Sequence, residues 1–139
     1  IYFSREVKSP GPDFLEEYRQ HFVRTMCELA SKRPLYLMRP APEMPYSVPS
    51  TLARAAMLAN TFTVGVTREA YDDRTKVVAD AQDAAAEQCG VNILETAAYL
   101  CTREFCPGGE GGNAFYFDNS HLSEAGNRKL IPMFRKVFK

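Results

Sequence analysis

The feature that most constrains the fold of this chain is a pair of short apolar runs separated by sequence of helical character. Residues 35–38 (Leu-Tyr-Leu-Met) are flanked by prolines, and residues 91–94 (Val-Asn-Ile-Leu) follow a glycine. A continuous apolar run of this length is typical of a strand buried in a parallel sheet. A strand, intervening helices and a second strand form a right-handed crossover unit. We therefore predict an α/β fold with parallel strands near 35–39 and 91–95.

The pattern of the first 60 residues predicts an extended arm and two helices. The arm at 1–3 could extend a strand, and a Pro-Gly-Pro break follows it. Apolar residues then recur at helical spacing over 13–32, with Asp13 as the expected N-cap and Glu16 completing a capping box. A second helix is predicted from Ser50, as its N-cap, to residue 60.

The C-terminal half predicts two more helices. Residues 61–67 are expected to be irregular or weakly extended. The next helix covers about 69–89, and Gly90 stands where a left-handed C-terminal residue belongs. A final helix is predicted over about 123–138, with Ser123 as its N-cap. Pro132 falls inside that pattern and should kink the helix or shift its start.

Composition restricts the chain to one domain of ordinary globular character. Its 139 residues are 45% hydrophobic and 24% charged, which allows a moderate core, and we treat 1–139 as a single domain. The 17 basic and 17 acidic residues cancel, which argues against nucleic acid and against a polybasic membrane surface. No apolar run approaches the roughly 20 residues that span a bilayer. Any membrane tether is therefore expected in sequence beyond this chain.

The chemistry of the chain is concentrated in one block, Phe-Asp-Asn-Ser-His-Leu-Ser-Glu-Ala-Gly, at 117–126. It places Asp118 three residues before His121, immediately ahead of a predicted helix. Such a pair can turn a hydroxyl into a nucleophile, because the imidazole takes the proton and the carboxylate fixes its tautomer. We expect the Asp118 carboxylate within hydrogen-bond reach of His121 Nδ1, at the C-terminal edge of the sheet. The plain alternative is a loop in which Asp118 only caps a helix.

This block resembles the last conserved block of SGNH hydrolases. More closely, it resembles the SGNH domain fused behind the membrane part of acyltransferase-3 family proteins, which O-acylate cell-surface glycans. Three stretches carry the resemblance: the segment 34–44, then Tyr99-Leu100-Cys101 with Cys106 beyond it, and then Tyr116-x-Asp118-x-x-His121-Leu122-Ser123-x-x-Gly126. The resemblance covers essentially the whole chain but only the C-terminal part of the family's domain.

The resemblance implies a three-layer, flavodoxin-like SGNH fold, of which this chain supplies the C-terminal portion. The family's Gly-Asp-Ser block, which carries the nucleophile, and its oxyanion-hole blocks are expected upstream of Ile1. A membrane acyltransferase domain is expected further upstream in the parent chain. The resemblance also implies a periplasmic domain of an inner-membrane protein.

The expected activity is O-acyl transfer, with acetyl as the first candidate, to hydroxyls of a surface polysaccharide or lipopolysaccharide. His121 would act as general base and then general acid, Asp118 would orient it, and the serine would come from upstream sequence. Acyl donor and glycan acceptor are the expected partners, no cofactor is expected, and the chain alone should be inactive. Two alternatives stay open: an SGNH esterase in which water takes the acyl group, and a non-catalytic binding module with the same fold.

The four cysteines allow several states. The spacing of Cys101 and Cys106 could close a small disulfide loop or leave two free thiols. The periplasmic location that the resemblance implies favours the disulfide, since disulfides persist there. Cys27 and Cys89 are interpreted most simply as small buried apolar residues. With only two histidines and no second close Cys pair, the chain has no zinc pattern and no metal site is predicted.

Two further expectations concern the edges of the sheet. Arg39 and Glu43 follow the first strand, where sites form in open α/β sheets, so they could line a substrate cleft. The alternative is a surface ion pair between them. The strand at 35–39 should also have an open apolar edge, through which two copies could pair as a homodimer.

Overall fold

The computed structural model describes residues 11–58 and 63–138. Over these residues the helices are α1 Pro12–Ala30, α2 Val48–Met57, α3 Arg68–Cys89, α4 Ala97–Leu100, α5 Glu124–Lys129 and α6 Ile131–Phe134. The strands are β1 Tyr36–Met38, β2 Gly65–Thr67, β3 Asn92–Leu94, β4 Phe105–Pro107, β5 Gly109–Glu110 and β6 Asn113–Ala114. None of the helices in these two ranges is both long enough and apolar enough to cross a membrane. The predicted arm at 1–3 and the predicted helix end at residue 60 lie outside the described residues.

The two apolar runs pair as parallel strands, as predicted. β1 lies beside β3 with Leu37 opposite Ile93. Mixed helices with small parallel and antiparallel sheets confirm the α/β class. The three-layer arrangement stays a prediction, because the parallel sheet has two strands within the described residues.

One face of β1 is more exposed than the prediction of a buried strand requires. Leu37 packs with α1 and α3, in a core cluster centred on Val23, Ala85 and Val91. Successive side chains of a strand point to opposite faces. Tyr36 and Met38 therefore face the other way and remain 38% and 45% exposed. The prediction of full burial is wrong because the two long helices cover one face of this strand.

The starts of α1 and α2 differ from the predicted caps. α1 begins at Pro12 after Gly11, so Asp13 lies in its first turn and is not the N-cap. Proline suits that position because the first helical N–H groups have no intrahelical acceptor. α2 begins at Val48, one residue before Pro49. Its N-cap is Ser47 in place of the predicted Ser50.

The later helices follow the predictions closely. Thr67 caps α3 by accepting a hydrogen bond from the Ala70 amide, and Gly90 ends it in the left-handed region at φ 68°. Ser123 caps α5 by accepting from the Gly126 amide. Pro132 lies in the first turn of α6, so the predicted helix is divided into α5 and α6. Of the two predicted effects of Pro132, a kink or a shifted helix start, the structure shows the second.

Residues 65–67, which were expected to be irregular or weakly extended, form an antiparallel pair with β4. Val66 lies opposite Cys106 in this pair. A Cβ built on Gly65 would lie 2.3 Å from the Phe105 ring, so only glycine fits there without a shift. The pairing was hard to predict because it joins segments separated by the whole of α3.

A disulfide between Cys27 and Cys89 corrects the interpretation of these residues as small buried apolar side chains. It joins the C-terminal turn of α1 to that of α3, with Cα atoms 5.3 Å apart. Nothing local signals the pair, because the two cysteines lie 62 positions apart in the sequence. The bond staples together the two helices that cover the parallel sheet.

Candidate functional site

A short hairpin-like turn delivers the Asp118 and His121 side chains. The Phe117 amide donates to the His121 carbonyl at 2.8 Å, and Tyr116 forms an isolated antiparallel bridge with Leu122. The Ser123 amide then donates to the Phe115 carbonyl at 2.9 Å, directly before α5 begins. Backbone bonds on both sides therefore close the loop that holds the two side chains.

The glycine of the Leu-Ser-x-x-Gly pattern allows α5 to approach this loop. A Cβ on Gly126 would lie 2.1 Å from the Phe115 carbonyl oxygen and 3.0 Å from a Leu122 methyl carbon. Side chains at this position would push the helix off the backbone that leads into Asp118. The glycine of this pattern is therefore needed for packing, whether or not the site is catalytic.

The Asp118 carboxylate is held by three donors. One oxygen, Oδ1, accepts from the Ser120 amide at 2.7 Å and the His121 amide at 2.8 Å. The other, Oδ2, lies 2.7 Å from His121 Nδ1. The two amide N–H groups, and then the imidazole, hold the pKa of Asp118 well below its usual range. Asp118 is therefore ionised at neutral pH and selects the tautomer of His121 that carries its proton on Nδ1.

This arrangement leaves the outer nitrogen of the imidazole open. With Nδ1 engaged by Asp118, Nε2 hydrogen-bonds to none of the residues at 11–58 and 63–138. The His121 side chain is 79% exposed and that of Asp118 is 47% exposed. The pair has the expected geometry. Both side chains lie in one loop, and Asp118 Oδ2 is within hydrogen-bonding distance of His121 Nδ1. Its chemical use depends on a group that reaches Nε2 from the exposed side.

The loop before α2 and the first residue of that helix also hold this turn by hydrogen bonds. The Met44 amide donates to the Asn119 carbonyl at 2.7 Å, and the Val48 amide donates to the Asp118 carbonyl at 2.9 Å. Met44 and Val48 are themselves buried, in a core cluster that also contains Tyr116. The turn with Asp118 and His121 is therefore fixed by core packing as well as by its own bonds.

A groove of about 630 Å³ opens next to this turn, at the carboxyl end of β1. Asn119 forms part of its wall, and Tyr71 and Arg74 of α3 line the facing side. Glu43 also lines the groove, where its carboxylate pairs with the guanidinium of Arg74. The position agrees with the general rule that ligands bind beyond the carboxyl ends of parallel strands.

Arg39, the other residue predicted to line a cleft, lies elsewhere. Only 8% of its surface is exposed, and its guanidinium pairs with Asp83 and with Glu95, at 3.2 Å for the latter. It also donates to Gln82 Oε1 at 3.0 Å. The predicted alternative, an ion pair between Arg39 and Glu43, is wrong because each has a different partner. A substrate-binding role for Arg39 stays a prediction. Its contacts favour a structural role, in which its guanidinium links strand β1 to helix α3.

The structure joins Cys101 to Cys106, with Cα atoms 4.0 Å apart. Cys106 is fully buried and packs with Tyr71 and Ala97. This small loop lies between α4 and β4, and β4 leads towards the segment that carries Asp118. The two disulfides leave no free cysteine among the described residues, and no cluster of three or more metal-ligating side chains occurs among them.

Two residues at this site were missed from the sequence. Asn119 lies within the recognised block, so its position between Asp118 and Ser120 was an available signal. No sequence signal pointed to Arg74, because this residue lies 31 positions from Glu43 on a helix with many charged residues. Only the packing of α3 beside the loop after β1 brings these two side chains together.

Comparison with known proteins agrees with the resemblance of the motifs. A family model described as "SGNH domain (fused to AT3 domains)" matches residues 2–136, which is almost the whole chain. Neither the search of curated proteins nor the search of solved structures gave a significant match. The family match, together with the Asp118–His121 geometry, identifies this chain as a member of the SGNH domains that are fused to AT3 domains.

Proposed function

We propose that this chain supplies the histidine and aspartate of a Ser-His-Asp acyltransferase that modifies cell-surface glycans. The family supports esterase or acyltransferase chemistry in general. The observation that carries the proposal is the 2.7 Å contact between Asp118 Oδ2 and His121 Nδ1, with Nε2 facing outwards. An acyl group, acetyl in the first instance, would pass to a hydroxyl of a polysaccharide or lipopolysaccharide sugar.

The mechanism has two half-reactions. A serine hydroxyl gives its proton to His121 Nε2 while its oxygen attacks the donor carbonyl, and the imidazolium then protonates the leaving group. The acyl group is now a serine ester. In the second half, Nε2 takes the proton of a sugar hydroxyl, whose oxygen attacks the ester, and the serine recovers that proton. Asp118, ionised throughout, stabilises the imidazolium in both halves.

The proposed nucleophile comes from sequence outside this chain. Ser120 is adjacent to His121, but its hydroxyl lies 3.5 Å from Nδ1, the nitrogen already engaged by Asp118. Ser123 donates to the Ala114 carbonyl and accepts from Gly126. The exposure of His121 agrees with an incoming serine, since a complete site would cover this face. We propose an upstream Gly-Asp-Ser block and a membrane acyltransferase domain as its source.

The exposure of His121 also favours a second candidate, an SGNH esterase. Water that reaches Nε2 as easily as a sugar hydroxyl does would hydrolyse the serine ester. The same two residues serve both reactions, so the difference lies in what occupies the space beside them. A non-catalytic module of the same fold is the third candidate, and it predicts that no serine is activated.

Location and assembly are part of the proposal. Two disulfides and membership of a family fused to membrane domains support an extracytoplasmic position, which we propose is the periplasm. Within the described residues β1 has a strand on one side only. We propose that this open edge takes a further strand, from the upstream part of the domain or from a second copy.

The test is labelling of the whole protein with an alkyl fluorophosphonate, followed by product analysis. The proposal predicts labelling at one serine, its loss on His121→Ala, and ester transfer to added oligosaccharide. Free acid as the sole product would identify the esterase. An unlabelled, folded protein would contradict both enzymatic candidates and leave the binding module. His21→Ala, which alters the other histidine on the exposed side of α1, is the matched control.

A further inference from the structure

The groove between the loop after β1 and helix α3 has the features of a binding site for an uncharged ligand. Its lining is mainly apolar, including Pro40, Val66 and Tyr71. The only charged side chains in that lining are Glu43 and Arg74, and they pair with one another. Ligand sites are commonly concave and apolar with a few placed polar groups.

The charge balance of the groove restricts what it can bind. A phosphate or other anion needs an uncompensated cation, whereas Arg74 already faces the carboxylate of Glu43. An uncharged polyol can use both, since the guanidinium donates hydrogen bonds and the carboxylate accepts them. Asn119 lines the same groove, and an asparagine side chain offers an amide with two donor hydrogens and an acceptor oxygen.

Hydrogen bonds hold the loop that forms one groove wall and connect it to the turn that carries Asp118 and His121. The Pro40 carbonyl accepts from the Tyr71 hydroxyl and from Thr96 Oγ1, each at 2.9 Å, so the loop after β1 is held at two points. The Met44 amide, next to Glu43, donates to the Asn119 carbonyl at 2.7 Å. The groove therefore adjoins the turn that carries Asp118 and His121, because Asn119 of that turn lines it.

An unpartnered hydroxyl is buried close to the groove. Tyr116 is 1% exposed, and its hydroxyl has no hydrogen-bond partner within the part of the chain that the structure describes. Burial, and then the neighbouring phenol of Tyr71, raise the pKa of Tyr116. Buried polar groups are normally satisfied, so the Tyr116 hydroxyl is an exception among the described residues.

We propose that this groove binds the acyl acceptor as an uncharged sugar ring, whose hydroxyls are held by Glu43, Arg74 and Asn119. The inference rests on the proposed function, because the acceptor must lie beside His121 Nε2 to lose its proton. It also gives a reason why the acyl group is transferred to sugar or lost to water. A sugar that occupies the groove offers its hydroxyl at high effective concentration, whereas an empty groove leaves the ester to water.

The test is direct binding by the disulfide-bonded protein, read by amide chemical shifts in NMR. The probes are the methyl glycosides of galactose, glucose and rhamnose, each titrated separately. We expect saturable shifts at Glu43, Arg74 and Asn119 for at least one probe. Arg74→Gln should weaken that binding about tenfold or more, the usual effect of losing a hydrogen bond to a charged group. Arg68→Gln, which removes an ion-paired arginine from the same helix outside the groove, should leave binding unchanged.

Transfer kinetics give a second readout that mere structural damage would not produce. In the whole protein Arg74→Gln should raise the KM for the sugar more than it lowers kcat, and should increase the share of acyl groups lost to water. A separate groove lies beside α2, around Tyr46 and Ser50. Shifts confined to that groove, or no saturable shifts with any probe, would overturn the inference. Fluorophosphonate labelling needs no sugar, so it reports on the proposed function separately. Labelling without sugar binding defeats this inference alone, and binding without labelling defeats the catalytic proposal.

Discussion

The α-carbon of Gly126 faces the carbonyl oxygen of Phe115 so closely that an added Cβ would lie 2.1 Å from it. This contact sets the distance between helix α5 and the backbone that leads into Asp118. Because the obstacle is backbone, a larger residue cannot be relieved by a side-chain rotation. The relation links a small packing requirement to the placement of the proposed dyad.

The first prediction concerns this contact. Gly126→Ala should lower the free energy of unfolding by about 1–3 kcal/mol, as overpacking typically does. It should also slow fluorophosphonate labelling, because α5 and the dyad turn move together. Urea unfolding and labelling rates measure the two effects. Gly11→Ala is the control, since none of the described residues lies within 4 Å of a Cβ there. Equal stability of the two variants would refute the close contact.

The second prediction separates the charge of Asp118 from its place in the turn. Asp118→Asn keeps an oxygen for the two amide donors but no longer selects the Nδ1–H tautomer of His121. Labelling should fall by up to about 10⁴-fold, the loss found for such a change in a Ser-His-Asp triad. The melting temperature at neutral pH should fall only modestly, because an exposed carboxylate and its partners contribute little stability, and a loss of that size does not account for the fall in labelling. Asp80→Asn, on an ion pair of α3, is the control, and comparable losses in both variants would count against an orienting role.

The third prediction concerns pH and stability. Because folding lowers the pKa of Asp118, its ionised form stabilises the native state. That contribution is complete above the unfolded-state pKa of about 3.9 and is lost as the pH falls towards the lower native value. The stability difference between wild type and Asp118→Asn should therefore shrink as the pH drops below about 4. Urea unfolding at several pH values checks this, and a constant difference would exclude the linkage.

The fourth prediction distinguishes the two disulfides. The paired cysteines lie 62 and 5 positions apart in the sequence, and the chain-entropy account gives about 4 and about 2 kcal/mol for closing loops of these lengths. Cys27→Ser with Cys89→Ser should therefore destabilise the fold more than Cys101→Ser with Cys106→Ser. The double variant Cys101→Ser with Cys106→Ser should slow fluorophosphonate labelling by more than its loss of stability would explain. Thiol counting by mass without reductant must first find both pairs oxidised; reactive thiols on Cys101 and Cys106 would rule that bond out.

The fifth prediction is that these 139 residues alone do not turn over p-nitrophenyl acetate, although they carry His121. Loss of a nucleophile and of oxyanion donors each removes orders of magnitude from the rate, about 10²–10³ for one donor. The comparison is with the whole protein under the same conditions. Turnover close to that of the whole protein, abolished by His121→Ala, would show that a serine of this chain is the nucleophile.

Local pattern was enough to predict much of the fold and the centre of the site. The parallel strands, helix α3 with Gly90, and the cap at Ser123 each depend on neighbours in sequence or on period, which a single chain displays directly. Asp118 and His121 were found for the same reason, since one tight turn contains both. Their chemical roles and the three-layer fold stay predictions.

Tertiary structure alone decided the contacts between distant segments. The Cys27–Cys89 bond, the partners of Arg39 and the Glu43–Arg74 pair all join residues that no local rule connects. Which charges meet depends on how α3 packs against the sheet, and that is fixed by the summed burial of many side chains. The sequence by itself determined the dyad and its turn, whereas the groove beside the dyad exists only because packing brings α3 to the end of β1.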